Sequence, residues 1–182
     1  MADGKIGNPT AVGLVTFGIT VILFSMFPLG LTNMNGLLFG QLVFSGGLAF
    51  IIVGIFKFLI DDTYGATVFL PFGFMLLAFA TMVIGAIGAP NNPQFVGWFF
   101  ILWGIFSLMA TIGGNIGKKP AMLQLALLLF TIELVLVGFN YLLGSNLMTI
   151  AGVIGVLAGI AAFYTAWGVF LNGLAGKKVL PI

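Results

Sequence analysis

The sequence predicts an all-α membrane protein of six transmembrane helices, and three observations carry that prediction. Hydrophobic residues make up 61% of the 182 residues and charged residues only 5%, where a soluble domain carries about a quarter charged residues. Six basic and four acidic side chains cannot cover a globule of 19.2 kDa, and the mean hydropathy of +1.26 makes lipid the solvent for most of the surface. The chain also divides into six apolar runs of spanning length, and all six lysines fall at alternate ends of those runs.

A membrane-spanning helix needs about 20 mostly apolar residues. The first run, Ala11–Phe27, stops at Pro28 and Gly30. The second, Gly36–Leu59, stops at Asp61, Asp62 and Thr63. The third, Tyr64–Gly88, stops at Ala89-Pro90-Asn91-Asn92-Pro93. The fourth, Phe95–Asn115, stops at Gly117 to Pro120, and the fifth, Ala121–Leu143, at Gly144-Ser145-Asn146. The sixth is Leu147–Leu171. Every break is short, so successive helices are expected as antiparallel neighbours in one domain spanning residues 1–182. The polar start, Met1 to Pro9, has no small-residue cleavage site behind it, and the first run reads as a retained helix rather than a signal peptide.

Lys5 precedes helix 1, Lys57 ends helix 2, Lys118 and Lys119 follow helix 4, and Lys177 and Lys178 follow helix 6. In a six-span topology these places share one face. The excess of basic residues in cytoplasmic loops then predicts a multi-pass protein of the cytoplasmic (inner) membrane with both termini in the cytoplasm.

Composition also removes function classes. Histidine and cysteine are absent, which excludes disulfides, thiolate metal sites and the usual proton shuttle. The four acids, Asp3, Asp61, Asp62 and Glu133, show no metal-ligand spacing. Lysines scattered over short loops make no basic groove for nucleic acid. The expectation is a protein that is not an enzyme and holds no metal or cofactor.

Small residues recur at four-residue spacing, at Gly36 and Gly40 and at Ala151, Gly155 and Gly159. That spacing lets helices approach closely in lipid, and packing is favoured over the alternative of a pore walled by backbone. Asn8-Pro9-Thr10-Ala11-Val12-Gly13 heads helix 1, and Asn92-Pro93-Gln94-Phe95-Val96-Gly97 heads helix 4. An inverted three-plus-three repeat would leave this echo; capping by Asn and Pro alone explains its first half.

Glu133 stands near the middle of helix 5, where an acid is costly and reads by default as functional. One reading makes it a proton or gating group beside a pathway; the other is a protonated carboxyl bonded to a neighbouring helix for packing. Lys57, Asp61 and Asp62 are expected as an interfacial anchor and helix stop, in which Lys57 and Asp61, four apart, can pair; the alternative is a vestibule that attracts small anions through Lys57. Most of the 20 phenylalanines read as lipid-facing or core, and Trp98 and Trp167 fit interfacial belts.

With these motifs in hand, the chain resembles the acetate uptake transporter family, which includes bacterial succinate–acetate transporters and yeast acetate/ammonia-export proteins. The resemblance rests on Asn8-Pro9-Thr10-Ala11-Val12-Gly13-Leu14 with Phe17-Gly18, Thr63-Tyr64-Gly65 leading to Phe69 and Phe72-Gly73, Asn92-Pro93-Gln94-Phe95, Leu102-Trp103-Gly104, Leu123-Gln124, and the tail Leu171-Asn172 with Val179-Leu180-Pro181-Ile182. It implies a six-helix protomer of the urea/acetate-channel kind, assembled as a homohexamer with a separate pathway in each protomer. It also implies conduction of acetate and related small monocarboxylates, in some cases succinate, often coupled to H+. Matched by position, the family's constriction falls on Phe17, Phe72 and Phe130, and its pathway mouth and helix-end motif on Asn8, Pro9, Gly13, Leu14 and Asn92. The chain departs from the family pattern at Ala11 (proline), Lys57 (acidic), Asp62 (asparagine), Phe72 (tyrosine) and Val169 (acidic), while bacterial members are apolar where Glu133 stands. Glu133 lies three residues after Phe130, so the two share a helix face.

The expected function is transport of acetate-like monocarboxylates, with or without a proton. The alternatives are a channel for a small neutral solute such as urea, a short amide or ammonia, and a non-transporting membrane subunit or sensor.

Overall fold

Six helices follow the six apolar runs. The computed structural model describes residues 7–84 and 92–182, and its elements are α1 (Thr10–Ser25), α2 (Gly36–Leu59), α3 (Thr63–Ile84), α4 (Pro93–Ile116), α5 (Ala121–Leu143) and α6 (Met148–Ala175). Helices α2 to α6 are long and apolar enough to cross a membrane. The shorter α1 has 16 residues, about 24 Å at the α-helical rise. Its chain goes on in turns through Gly30, closed by bonds from Phe27 N to Phe24 O (3.1 Å) and from Gly30 N to Phe27 O (2.9 Å).

Two C-terminal ends differ from the sequence expectation by two residues or more. Helix α1 ends at Ser25 rather than Phe27, because tight turns take over ahead of Pro28. Helix α6 runs past Leu171 to Ala175, where Gly176 adopts φ +60° and terminates it. Asn172 does not break α6; its Oδ1 accepts from Val179 N and Leu180 N, folding the tail back. The expected end of the third span at Gly88, the following break at Ala89 to Asn91, and Lys5 lie outside the described residues.

Local chemistry explains the starts. Asn35 Oδ1 accepts from Leu37 N and Leu38 N at the head of α2 (both 3.0 Å), and Asn92 Oδ1 accepts from Gln94 N at the head of α4 (2.9 Å), with Pro93 in the first helical position. Asn8 acts one residue further out: Pro9 occupies the cap position of α1, and Asn8 Oδ1 accepts from Thr10 N (3.1 Å). The two Asn-Pro starts share chemistry, but their helices have different neighbours. Helix α1 packs along α6, whereas α4 packs along α5 and touches α3 only lightly.

Glycine fixes the helix pairs. A Cβ on Gly18 would lie 2.8 Å from Gly159 O, and one on Gly159 would meet Gly18 O at the same distance, so α1 and α6 touch backbone to backbone. Gly97 and Gly138 do the same for α4 and α5, at 3.0 and 2.9 Å. A Cβ on Gly73 of α3 would lie 2.9 Å from Gly47 O of α2. In lipid, where apolar area brings no advantage between helices, such close approach is what holds a bundle. Gly36 and Gly40 take no part: neither meets another helix within 4 Å. The close contacts on α2 belong instead to Gly46 and Gly47, inside the π-wound stretch Gln41–Leu48, and to Gly54, where a Cβ would lie 2.9 Å from Leu70 N.

Candidate functional site

Four helices each bring one phenylalanine to the centre of the bundle: Phe17 from α1, Phe50 from α2, Phe72 from α3 and Phe130 from α5. All four are buried. The Phe130 ring stands edge-on to Phe17, with centroids 4.9 Å apart, and to Phe72 at 5.4 Å. Phe50 closes the side beside Phe17 at 5.7 Å, and Phe106 backs Phe72 at 5.0 Å. Phe72 reaches the centre because Gly73 lets α3 lie directly on the α2 backbone.

These rings separate two spaces. On the lysine side lies a vestibule of about 230 Å³ that runs from Asn8, Lys57, Asp62, Tyr64 and Lys119 past Leu14 and Val68 to Phe17 and Phe72. Beyond the rings lies a cavity of only about 30 Å³, lined by Thr20, Phe24, Phe79, Phe100, Phe130 and Glu133. A second aromatic layer closes it, with Phe79 edge-on to Phe24 (4.8 Å) and to Phe100 (5.4 Å). The arrangement is a wide pocket at one end, a dry neck, and a nearly collapsed pocket beyond.

The vestibule mouth corrects one sequence expectation. Lys57 pairs with Asp62 (2.7 Å), not with Asp61. The chain reverses at Asp61, which takes φ +58° and is exposed, and this turn delivers the next carboxylate to the lysine. Asp62 also accepts from Gly65 N (3.0 Å) at the head of α3 and lies 3.4 Å from Lys119 Nζ. Partial burial alone would push the Asp62 carboxyl up. The hydrogen bond from Lys57, the Gly65 amide and the charges of Lys57 and Lys119 outweigh burial and hold it at about 2, below its ordinary 3.8. A depressed carboxyl contributes stability that is complete above the ordinary value and lost only as pH falls from there toward 2. Asp62 therefore keeps its charge throughout the physiological range.

Glu133 is buried beyond the neck, at 4% exposure. Its Oε1 lies 3.1 Å from Ser25 Oγ, and its Oε2 has no partner among the described residues. Ser25 Oγ is also 2.7 Å from Val21 O. A hydroxyl has one proton to donate, so both contacts are full hydrogen bonds only when Glu133 carries a proton and donates it to Ser25. Room for the carboxyl comes from Gly155 of α6, where a Cβ would overlap Glu133 Oε1 and Ser25 Oγ. Gly155→Ala is accordingly expected to lower stability by about 1–3 kcal/mol through overpacking, read as a fall in Tm in detergent, whereas alanine at open Gly173 should leave Tm unchanged.

Of the residues singled out from sequence, Phe17, Phe72 and Phe130 come together, Glu133 lies just beyond them, and Asn8 and Leu14 line the vestibule. Gly13 is the notch for Phe69, whose Cε1 a Cβ there would meet at 2.5 Å. Pro9 caps α1 next to the mouth. Asn92 is exposed at the head of α4 and lines neither space. Sequence reasoning missed Phe50, Ser25 and Lys119. Nothing along the chain marks Ser25 as the partner of a residue 108 positions away.

The comparisons agree with this architecture. The chain is 32% identical to the succinate-acetate/proton symporter SatP of Escherichia coli (strain K12), over 100% of this chain and 98% of that protein. It is 28% identical to the acetate transporter protein patA of Penicillium expansum, over 88% of this chain and 71% of that one. The solved structure of the bacterial acetate channel SatP superposes with a TM-score of 0.93 at 31% identity, covering 98% of this chain and 99% of that one. The model of the GPR1/FUN34/yaaH family matches residues 1–178. The chain is a multi-pass membrane protein that belongs to the GPR1/FUN34/yaaH family.

Proposed function

We propose that the protein transports acetate and similar small monocarboxylates across the membrane through a pathway within each protomer. The observation that carries this reading is the pair of cavities set end to end across the Phe17–Phe72–Phe130 neck, in a bundle that superposes on an acetate channel. A carboxylate cannot enter so apolar a neck cheaply unless it is protonated or met by donors. The neck is therefore the selective step, and the wide vestibule is the waiting room ahead of it. Asn8, Pro9, Gly13 and Leu14 shape the mouth, and Glu133 is the proton or gating group on the far side.

The test is uptake of labelled acetate and labelled urea into proteoliposomes, with and without a pH gradient, after subtracting flux into protein-free vesicles. Saturable acetate uptake above that background is the expected result; urea flux without acetate flux would replace this reading. The absence of any polar side chain among the three neck residues favours a neutral-solute channel as the second reading. No uptake of either solute would leave the non-transporting subunit or sensor.

The same reading puts both termini and the vestibule on the cytoplasmic side of the inner membrane. Its support is Lys57 and Lys119 meeting at one end of the bundle. Because the chain has no cysteine, Lys177→Cys creates a unique label site, expected to react with an impermeant maleimide in inside-out vesicles and not in intact cells. The homohexamer rests on the family resemblance and predicts a native mass of six chains.

A further inference from the structure

Lys57 has more capacity than its protein partners use. Its side chain is 5% exposed, its ammonium donates to Asp62 Oδ2 at 2.7 Å and to Asn8 Oδ1 at 3.3 Å, and it lines the vestibule. An ammonium carries three donors, so one remains without a partner among the described residues. Gly65 makes room for this pose, since a Cβ there would lie 2.8 Å from Lys57 Cδ and 2.9 Å from Asp62 Oδ2. Below the ammonium the wall is apolar, formed by Val68, Phe69, Leu123 and Leu127, down to Phe17 and Phe72. The space of about 230 Å³ far exceeds the roughly 10–15 Å³ that admits one water.

The charge count at this site is unusual in being so small. The charged residues lining the vestibule, among those described, are Lys57, Lys119 and Asp62. Asp62 lies within ion-pair reach of both lysines, and two ammonium groups with one carboxylate leave one net positive charge. A single carboxylate entering the vestibule neutralises that charge and lays its alkyl part on the apolar wall. A dicarboxylate brings a second charge that finds no cation, in a space narrowing toward phenylalanine.

We propose that Lys57 Nζ forms a carboxylate-binding subsite at the vestibule mouth, and that the single net positive charge of Lys57, Lys119 and Asp62 selects monoanions over dianions. This rests on the acetate-transport reading above and assigns that pathway a binding position and a basis for substrate choice. Asp62 sets the choice by consuming one of the two cations. The rim lysine, Lys119, with a side chain 30% exposed and its ammonium 5.0 Å from the Tyr64 ring centroid, contributes through charge rather than contact.

The experiment measures saturable uptake of labelled acetate into proteoliposomes, with unlabelled acetate or succinate as competitor, at a pH where both succinate carboxyls are ionised. The wild-type protein should be inhibited by succinate at least about tenfold more weakly than by acetate. Lys57→Met should raise half-saturating acetate about tenfold or more, as expected for losing a hydrogen-bonded charge. Lys119→Met, at the solvent-facing rim, should raise it about threefold without disturbing a buried group. Asp62→Asn leaves two positive charges and should bring succinate to within about threefold of acetate.

A folding defect lowers the maximal rate for every solute and leaves the acetate-to-succinate ratio alone, so that ratio is the deciding readout. An unchanged ratio in Asp62→Asn, or half-saturation in Lys57→Met within about twofold of wild type, overturns the subsite. A wild-type protein without saturable acetate uptake overturns instead the transport reading on which the subsite rests.

Discussion

Phe130→Ala is expected to turn the neck into a leak. Phe130 is the ring that meets both Phe17 and Phe72 edge-on, and it also borders the small cavity beyond them. Removing it opens the side of the neck that its ring fills between Phe17 and Phe72. The packing cost is about 3–5 kcal/mol for truncating a buried phenylalanine. Proteoliposomes should show acetate uptake raised about tenfold and a marked loss of discrimination against urea, because the dry barrier is what distinguishes the solutes. Phe130→Leu, which keeps most of the volume, should stay close to wild type. Slower acetate flux in Phe130→Ala, with Phe130→Leu unaffected, would mean that the rings support the bundle and do not form the barrier.

Glu133→Gln carries the second large effect. Wild-type acetate uptake, after subtraction of protein-free flux, should rise as the outside pH falls, and Glu133→Gln should flatten that rise to about twofold across the range where wild type changes about tenfold. The sign follows from charge: an ionised Glu133 just beyond the neck repels an arriving carboxylate, whereas a protonated one bonds Ser25 and does not. Glutamine keeps the shape and a donor for Ser25, so a purely structural role would leave the pH profile as it was. No other titratable side chain lines the small cavity among the described residues. Asp62 in the vestibule does not supply the effect either, because it stays ionised until the pH approaches 2. An unchanged pH profile in Glu133→Gln would remove Glu133 from the mechanism.

Helix number and type were legible in the sequence because lipid demands a single pattern, an unbroken apolar run of spanning length. The expected and observed limits of α2 and α5 coincide at Gly36–Leu59 and Ala121–Leu143. The meeting of Lys57 and Lys119 was legible for a related reason, since lysines are kept to the ends of spans, and these two do meet through Asp62. The pairing of Lys57 was not. Four-residue spacing on a helix favoured Asp61, but the helix had already ended at Leu59, and the left-handed turn at Asp61 handed the role to its neighbour. The glycine spacing was half informative: Gly155 and Gly159 are contact points, whereas Gly36 and Gly40 are not.

By itself, the sequence determined that the chain forms six apolar helices suited to a membrane, since hydropathy acts on each span independently. Only the tertiary structure decided what the single buried acid touches and where the barrier lies. Ser25, Glu133 and Gly155 stand on three different helices, as do Phe17, Phe72 and Phe130. Which faces meet is set by backbone contact at pairs such as Gly18 with Gly159 and Gly97 with Gly138. Helices in lipid associate through close packing rather than through burial of apolar area, so hydropathy along the chain carries no record of which faces will touch.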